Sequence, residues 1–255
     1  MKIKTQYSII SRGTEKYSGH GYMGVSQALN NKQYILDIDH GVLESELNDR
    51  IIPFKANEYS IYNIALSRFQ LIFELIMHRY PIKDNILILG LGNLGFSCLF
   101  SLLLNGYKNI SIYTRKNDVD LKNIEKKFNI KVKIINEITD EFKTYIDATG
   151  SSEVLKNVFE NITNMKDVII LSTPRDGLYL IDPFIINRKN ITIVGGHELN
   201  GVDKNLREEL YTKILNRNKD LDDIIEKFVS INNYSEDNQK KLLKKKNNII
   251  DIFKY

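Results

Sequence analysis

Three glycines at fixed spacing are the residues of this sequence best suited to hold a phosphate group. Gly90, Gly92 and Gly95 form a G-x-G-x-x-G pattern that directly follows the apolar run NILIL (85–89). In such a pattern the first glycine permits a tight turn, the second lets a pyrophosphate approach the backbone, and the third lets the following helix pack closely. The unpaired N–H groups and the dipole of that helix attract anions. The spacing therefore predicts a dinucleotide-binding turn.

Two further residues, Asn93 and Leu94, complete the predicted cofactor-binding segment. They lie between the predicted strand and a helix predicted over 95–106, where backbone N–H groups face a bound phosphate. Two alternatives stay open at this point. One is a packing turn of glycines in another α/β fold, and the other is a site for a methyl-donor nucleotide.

The residues after the second predicted strand indicate which dinucleotide binds. A carboxylate about 20 residues after the glycines would hold the ribose diol of NAD. The sequence has Thr114, Arg115 and Lys116 there instead. A hydroxyl donor and two cations suit a 2′-phosphate, which a guanidinium group binds in a bidentate manner. We therefore predict NADP(H) as the cofactor, with an exposed basic turn as the alternative interpretation.

Polar and small residues also follow two later strands of the predicted sheet. Thr149 and Gly150 follow the fourth strand, and Thr173 follows the fifth. Ligands of open parallel sheets bind beyond the carboxyl ends of the strands. We therefore add these three residues to the predicted cofactor site, although each of them alone is equally typical of an ordinary turn.

Six short apolar runs alternate with helical stretches from about residue 83 onward, which predicts a doubly wound parallel Rossmann sheet and an α/β fold class. The first run, NILIL (85–89), is continuously apolar, as expected of a strand buried on both faces. The predicted strands are 85–89, 109–113, 131–135, 145–148, 167–171 and 190–194, and the predicted helices between them are 95–106, 120–128 and 151–162.

The two ends of the chain have a different pattern, which predicts a smaller β-rich lobe. The first 60 residues hold five glycines among short β-prone segments, and the last residues hold the strand-like runs KFVSI and NIIDIFKY. We expect the last run to return to the lobe formed by the first residues. The predicted domains are 1–60 plus 228–255, and 61–227, which begins with a linker helix over Tyr59–Tyr80.

This order of features resembles the medium-chain dehydrogenase/reductase family over nearly the whole chain. The segment YSIISRGTEKYSG (7–19) is similar to the segment of the family that carries a catalytic zinc cysteine, and residues 85–106 closely match its nucleotide-binding turn. YIDATGSSEVL (145–155) is similar to its fourth-strand motif. The resemblance implies a GroES-like lobe, completed by the C-terminal segment, beside a Rossmann domain.

The departures from the family pattern imply a zinc-free member with a shortened GroES-like domain. Ser11 stands where zinc-dependent members have cysteine, and Gly19-His20-Gly21-Tyr22 lacks the glutamate of their Gly-His-Glu segment. Without a metal, another group must stabilise developing charge and supply a proton. We predict Ser11, Tyr22 and His40 as the catalytic residues, although a turn or core position is the alternative for each. Arg12, Thr14, Glu15 and His20 are further candidates in the same lobe.

Composition excludes several other classes of protein. The 255 residues include one cysteine, Cys98, and four histidines, too few for a disulfide framework or a thiolate metal cluster. The net charge of +4 comes mostly from five lysines within 240–246, a pattern typical of a solvated helix face, so we expect no nucleic-acid partner. No apolar run reaches the roughly 20 residues of a membrane span, and no signal peptide is apparent, so we expect a cytoplasmic protein.

The sequence thus predicts an NADPH-dependent oxidoreductase that transfers a hydride to a small-molecule carbonyl, imine or activated alkene without metal. An NAD-linked dehydrogenase is one alternative. A scaffold or partner subunit that binds the nucleotide without catalysis is another. The apolar sixth strand (190–194) is a candidate sheet edge for a homodimer.

Overall fold

The computed structural model describes residues 2–18, 21, 23–27, 32–36, 38–46, 52–55, 58–116, 120–173, 181–197, 201–244 and 249–255. The chain divides into two compact units. The first contains Met1–Leu71 and Glu198–Tyr255, and the second contains Ile72–His197.

The N-terminal part of the first unit consists of short strands and one helix. These elements are β1 (Lys2–Ile10), α1 (Arg12–Ser18), β2 (Gly24–Gln27), β3 (Lys32–Leu36), β4 (Glu44–Glu46) and β5 (Ile52–Lys55). The β-rich lobe predicted for the first 60 residues is confirmed. The helix α1 was not predicted, because the glycine at its second position favours a turn.

A long helix, α2 (Ile61–Arg79), follows this part of the chain and confirms the helix predicted over Tyr59–Tyr80. The second unit then alternates strands and helices. They are β6 (Ile86–Leu89), α3 (Asn93–Leu104), β7 (Ile110–Tyr113), α4 (Lys122–Phe128), β8 (Lys133–Ile135), β9 (Thr144–Asp147), α5 (Ser152–Asn161), β10 (Asp167–Ile170), α6 (Pro183–Lys189) and β11 (Thr192–Gly195).

The six strands of the second unit form one parallel sheet in the order β8-β7-β6-β9-β10-β11. All four residues of β6 are buried, as their continuously apolar sequence predicts. Helix α3 is buried from Gly95 to Leu103, and α5 packs Leu155, Val158 and Phe159 against the core. The predicted doubly wound sheet is confirmed. The strand order reverses between β6 and β9, which is where ligands bind in folds of this type.

The C-terminal part of the chain returns to the first unit. Its elements are α7 (Lys204–Asn218), α8 (Asp222–Ile225), β12 (Val229–Asn233), α9 (Glu236–Lys244) and β13 (Ile250–Lys254). Strand β13 pairs antiparallel with β1, from Tyr7 opposite Lys254 to Ile10 opposite Asp251. The sheet order is β12-β13-β1-β2-β3-β5, with β4 also paired to β1. The expected return of the last strand is confirmed.

The units divide the chain differently from the predicted domains 1–60 plus 228–255 and 61–227. Residues 198–227 and the first half of α2 lie in the first unit. The reason is contact between α7 and that unit: the Tyr211 hydroxyl donates to the Ile64 carbonyl at 3.0 Å, and its ring packs edge-on against Phe54. Within the described part of the chain, no helix combines the length and hydrophobicity that a membrane span requires.

Candidate functional site

The three glycines at the junction of β6 and α3 have three different surroundings. Gly90 has a φ of +92°, a conformation that favours glycine, and a Cβ there would lie 2.8 Å from Thr149 Cγ2. A Cβ on Gly95 would lie 1.9 Å from the Gly90 carbonyl oxygen. A Cβ on Gly92 would meet no described atom within 4 Å. Packing within the protein therefore requires the first and third glycines, whereas the second faces open space.

The N-terminus of α3 is arranged to receive an anion. Gly92 occupies the N-cap and has no side chain with which to cap the helix, and Asn93 and Leu94 are the first two helical residues. The first turn of this fully described helix contains no acidic residue. Hydrogen bonds from Gly90 N–H to Tyr113 O (2.8 Å) and from Ala148 N–H to Leu89 O (3.0 Å) hold the turn between the neighbouring strands. A phosphate bound beside Gly92 would meet the positive end of the helix dipole.

The predicted 2′-phosphate site follows β7 at the same edge of the sheet. The Thr114 hydroxyl accepts a hydrogen bond from the Lys116 N–H at 3.1 Å, which leaves the hydroxyl proton available to a ligand. Arg115 is exposed, and Lys116 and Thr114 are half-buried. The short turn therefore presents one hydroxyl donor and two cationic side chains at the carboxyl end of the second strand.

The residues after β9 and β10 support the glycine turn. Thr149 donates its hydroxyl to Asp147 Oδ1 at 2.5 Å and accepts from the Ser151 N–H at 3.1 Å. A Cβ on Gly150, whose φ is +63°, would lie 2.6 Å from the Thr173 carbonyl oxygen. The structure thus brings Thr149, Gly150 and Thr173 together beside Gly90. The space at Gly150 is filled by Thr173, so the absence of a side chain there serves packing between strand ends.

Two of the predicted catalytic residues, Ser11 and His40, lie in a buried polar cluster of the first unit. His40 Nε2 is 2.9 Å from Glu15 Oε2, and His40 Nδ1 is 2.7 Å from Ser8 Oγ. The second Glu15 oxygen accepts from the Ser11 N–H at 2.7 Å, and the Ser11 hydroxyl lies 3.3 Å from Thr14 Oγ1. The His40 side chain is 1% exposed and the Glu15 side chain 0%. His40 therefore uses both ring nitrogens within the protein and presents neither to a substrate.

The C-terminal residue Tyr255 extends this cluster. Its hydroxyl lies 2.6 Å from Ser8 Oγ and accepts from the Gly41 N–H at 2.9 Å. Burial, more than any other effect, raises the pKa of this phenol above its usual value, so it is protonated at neutral pH. Tyr255 is half-buried and lines a cavity of about 470 Å³ that also contacts Lys4, Tyr7, Gln33, Tyr59 and Lys254.

Tyr22 and His20 lie outside the described residues, so the prediction for Tyr22 stays a prediction. Within the described part of the chain, no three or more His, Cys, Asp or Glu side chains come together in a way that could hold a metal ion.

The sequence matches no protein-family model and no curated protein. Solved structures do match the fold. Bacillus subtilis yhfP with NAD bound has a TM-score of 0.74 and 12% identity, over 100% of this chain and 90% of that one. The yhdH oxidoreductase from Salmonella enterica in complex with NADP has a TM-score of 0.73 and 10% identity over the same shares. S. aureus TarJ in complex with NADPH has a TM-score of 0.69 and 14% identity, over 99% of this chain and 90% of that one.

The chain has the fold of these three proteins. That fold, a Rossmann sheet with a separate β-rich sheet, is the one implied by the resemblance to the medium-chain dehydrogenases/reductases. These three structures are 10–14% identical to this chain, so the likeness concerns architecture alone.

Two members of the buried cluster, Ser8 and Tyr255, were not predicted from the sequence. They are separated by 247 positions and meet only because β13 pairs with β1. The predicted pairing of the terminal strand with the first lobe was a signal for this contact, but the sequence did not specify its register. Glu15 was among the further candidates in the sequence. It lies four residues after Ser11, and this helical spacing allows the Ser11 N–H to donate to the Glu15 carboxylate.

Proposed function

We propose that this chain is a zinc-independent member of the medium-chain dehydrogenase/reductase family and an NADPH-dependent oxidoreductase. In this proposal it transfers a hydride to a small-molecule carbonyl, imine or activated alkene. The shared fold supports the reaction class, and the chain's own residues support the cofactor.

The observation that carries this proposal is the open space at Gly92. Glycine at a helix N-cap costs only about a few tenths of a kcal/mol relative to serine, and it leaves the backbone N–H groups open to a ligand. Gly90 and Gly95 are explained by conformation and packing, and Gly92, with a φ of −93°, is explained by neither. A pyrophosphate that approaches the backbone fills the place of the missing side chain, and the N-terminus of α3 stabilises its charge.

The preference for NADPH rests on the turn after β7. Thr114, Arg115 and Lys116 supply a hydroxyl and two cations at the end of the strand where a ribose-binding carboxylate would otherwise be expected. Arg115 is exposed and can stack on the adenine or form two hydrogen bonds to a 2′-phosphate. This support does not extend to the choice of substrate.

The bound nicotinamide would supply the hydride, and the chain's residues have three other tasks. The α3 N-terminus and Gly92 bind the pyrophosphate, and the Thr114–Lys116 turn binds the 2′-phosphate. Asp147 and Thr149 hold the glycine turn in place. Of the predicted catalytic residues, Ser11 and Tyr22 remain candidates for substrate contact, whereas the buried His40 acts through other groups.

The purified protein tests the proposal in two measurements. Titration by nucleotide fluorescence should show tighter binding of NADPH than of NADH. Consumption of NADPH, followed at 340 nm with a panel of carbonyls, imines and enones, should then identify a substrate.

Each alternative predicts a different result in these measurements. Binding without any turnover supports a nucleotide-binding scaffold. Equal affinity for both nucleotides contradicts the NADPH preference and leaves an NAD-linked dehydrogenase. If neither nucleotide binds, the proposal is wrong and a methyl-donor nucleotide becomes the ligand to test.

A further inference from the structure

The first unit contains two cavities of similar volume that are lined by opposite charges. One, of about 470 Å³, is lined by Lys4 and Lys254 and by no acidic residue that the structure describes. The other, of about 440 Å³, is lined by Glu58 and Glu208 and by no described lysine or arginine. Tyr59 contributes to both linings. The first one, here named the lysine cavity, therefore attracts anions and not cations.

A β-bulge in β1 brings Lys4 to the same face of the sheet as other residues of the lysine cavity. The register between β1 and β2 shifts just before Tyr7, which leaves Gln6 as an extra residue. Lys4 lies opposite Gln27, and Tyr7 lies opposite Val25. Since Gln27 and Val25 are two residues apart in β2, they share one face of the sheet. Lys4 and Tyr7 therefore share it too, whereas in a regular strand their odd spacing would place them on opposite faces.

The neighbouring elements add a second cation and an apolar surface to the lysine cavity. Lys254 lies opposite Tyr7 in the pairing of β13 with β1, so it belongs to the same face of the sheet. The apolar part of the lining comes from Val25 in β2 and from Ile61 and Ile64 at the start of α2. The cavity thus combines two positive charges with an aliphatic surface.

The two ammonium groups are available to a ligand. Lys4 and Lys254 are exposed, and neither forms an ion pair with any residue that the structure describes. Glu44 lies opposite Lys4 in the pairing of β4 with β1, but no ion pair joins these two side chains. An anion in the cavity can therefore contact both lysines without displacing a carboxylate of the described chain.

We propose that the lysine cavity binds a small organic anion, a carboxylate or a phosphate ester with an apolar body. The negative group contacts Lys4 and Lys254, and the body packs against Val25, Ile61 and Ile64. The two charges select for an anion, while burial of the apolar body adds affinity. All the described residues of this lining lie in the first unit, and the predicted nucleotide site contributes none of them. The inference therefore does not rest on the proposed function.

Methyl NMR of the purified protein locates the bound anion. With ¹³C-labelled Ile and Val methyl groups, benzoate and phenyl phosphate should shift the signals of Val25, Ile61 and Ile64. Benzamide has the same ring without the charge and should bind about tenfold more weakly. A tighter complex with phenyl phosphate than with benzoate identifies the phosphate ester as the preferred chemistry, and the reverse order identifies the carboxylate.

Substitution of the lysines tests the role of the charges. Lys4→Met and Lys254→Met remove the ammonium group but keep an apolar side chain. Each should weaken benzoate binding about threefold, and the double variant about tenfold, with benzamide binding unchanged. Lys254→Arg should keep the affinity for benzoate. High salt should weaken benzoate binding to the wild-type protein, because both cations are exposed.

Lys227→Met is the matched control. Lys227 is an exposed lysine of the same unit and lines neither cavity, so its loss should leave benzoate binding unchanged. An equal loss of affinity in Lys227→Met and Lys4→Met would show that net charge alone attracts the anion, and would overturn the proposal. So would methyl shifts confined to other residues, or equal affinities for benzoate and benzamide.

A parallel NADPH titration separates this inference from the proposed function. Lys4→Met and Lys254→Met should leave NADPH affinity unchanged. Charge-dependent benzoate binding in a protein that does not bind NADPH supports the anion site and refutes the proposed function. NADPH binding without methyl shifts from either anion supports the nucleotide site and refutes the anion site.

Discussion

Each glycine at the junction of β6 and α3 lacks a side chain for a different physical reason. Gly90 has a positive φ, which favours glycine, and a side chain on Gly95 would collide with the Gly90 carbonyl oxygen. Gly92 has a negative φ, and a side chain there would collide with no described atom, so its role can be tested without disturbing the fold. This is an unusual opportunity, because substitutions in a ligand-binding turn commonly change stability and binding together.

Replacing Gly92 with serine should separate ligand binding from stability. Serine is preferred at the N-cap position, so Gly92→Ser should keep or raise the free energy of unfolding, by about a few tenths of a kcal/mol. The new hydroxyl would occupy the open space and accept hydrogen bonds from the N–H groups that would otherwise donate to a phosphate. We expect NADPH affinity to fall at least tenfold, which is about 1.4 kcal/mol. Urea unfolding and a nucleotide titration measure the two quantities.

The result that contradicts this prediction is unchanged NADPH affinity in a correctly folded Gly92→Ser protein. Such a result would mean that the pyrophosphate binds elsewhere. A fall in stability together with affinity would instead show that Gly92 is required for packing.

The charge after β7 is a second property that single residues decide. Arg115→Ala should weaken NADPH binding about tenfold and leave NADH binding unchanged, because only NADPH carries the 2′-phosphate. The difference should shrink at high salt, since Arg115 is exposed and its charge is screened. Nucleotide titrations at low and high ionic strength measure the effect.

Arg188→Ala is a suitable control for this variant. Arg188 is also exposed, and its guanidinium lies 5.4 Å from the centre of the Phe184 ring in α6. The Arg188→Ala substitution removes the same charge as Arg115→Ala but leaves the turn after β7 unchanged. Equal losses of NADPH affinity in both variants would show that net charge, rather than a specific contact, sets the preference.

Among the secondary-structure elements, those with strong periodicity were predictable and those stabilised by polar contacts were not. The six strands of the parallel sheet and helices α3 and α5 were predicted within about three residues, because their apolar residues follow one clear pattern. Helix α7 was missed, although Asp203 caps it by accepting from the N–H groups of Asn205 and Leu206. Its buried face includes Arg207 and Asn218, which a search for apolar periodicity does not find.

The same limit applies to the candidate sites. The nucleotide turn was predictable because its residues are adjacent in sequence. The buried cluster was only partly predictable, since His40, Glu15 and Ser8 come from different elements and Tyr255 comes from the other end of the chain. Which histidine nitrogen meets which partner depends on packing that local sequence does not encode.

The contact between α7 and α2 gives a prediction at the scale of elements. Asn218 donates to Ser67 Oγ at 2.8 Å and to Gln70 Oε1 at 2.6 Å, and Asn63 donates to the Leu215 carbonyl at 2.9 Å. All these side chains are fully buried. Asn218→Ala should therefore lower the free energy of unfolding by about 1–3 kcal/mol, because Gln70 Oε1 loses its donor. Urea denaturation measures the change.

The control for this variant is an asparagine on an exposed helix end. Asn161 lies at the end of α5 and donates to the Asn157 carbonyl at 2.8 Å. Asn161→Ala should change the free energy of unfolding by less than about 0.5 kcal/mol. If both substitutions have the same effect, the buried amide network does not stabilise the pairing of the two helices.

At the scale of the whole molecule, the two chain ends belong to one sheet. Strands β1 and β13 are neighbours in it, and Leu242 of α9 packs against Ile10 and Phe253 beneath them. The last 28 residues therefore do not fold as a separate tail, and the lysine-rich helix among them buries Leu242. In the second sheet, β11 is one of the two edge strands. Among the described strands, β11 pairs only with β10.

This edge strand leads to a prediction about assembly. The N–H groups of Thr192 and Gly196 bond to carbonyls beside β10, so those of Ile193 and Gly195 point away from it. We expect two copies of the chain to pair through this edge, with a mass by light scattering of twice 29.6 kDa. Gly195→Pro removes one outward N–H, and proline is tolerated at such a position, so it should weaken the dimer at least tenfold without unfolding the protein.

Gly195→Ala shows whether the hydrogen bond or the shape of the strand matters. A Cβ on Gly195 meets no described atom within 4 Å, so alanine keeps the N–H group and adds only a methyl to open space. The alanine variant should stay dimeric where the proline variant dissociates, because the two differ chiefly in the backbone donor. A monomeric wild-type protein would refute the edge pairing outright. A dimer equally stable in both variants would place the interface on another surface, since edge-to-edge pairing depends on the N–H group that proline removes.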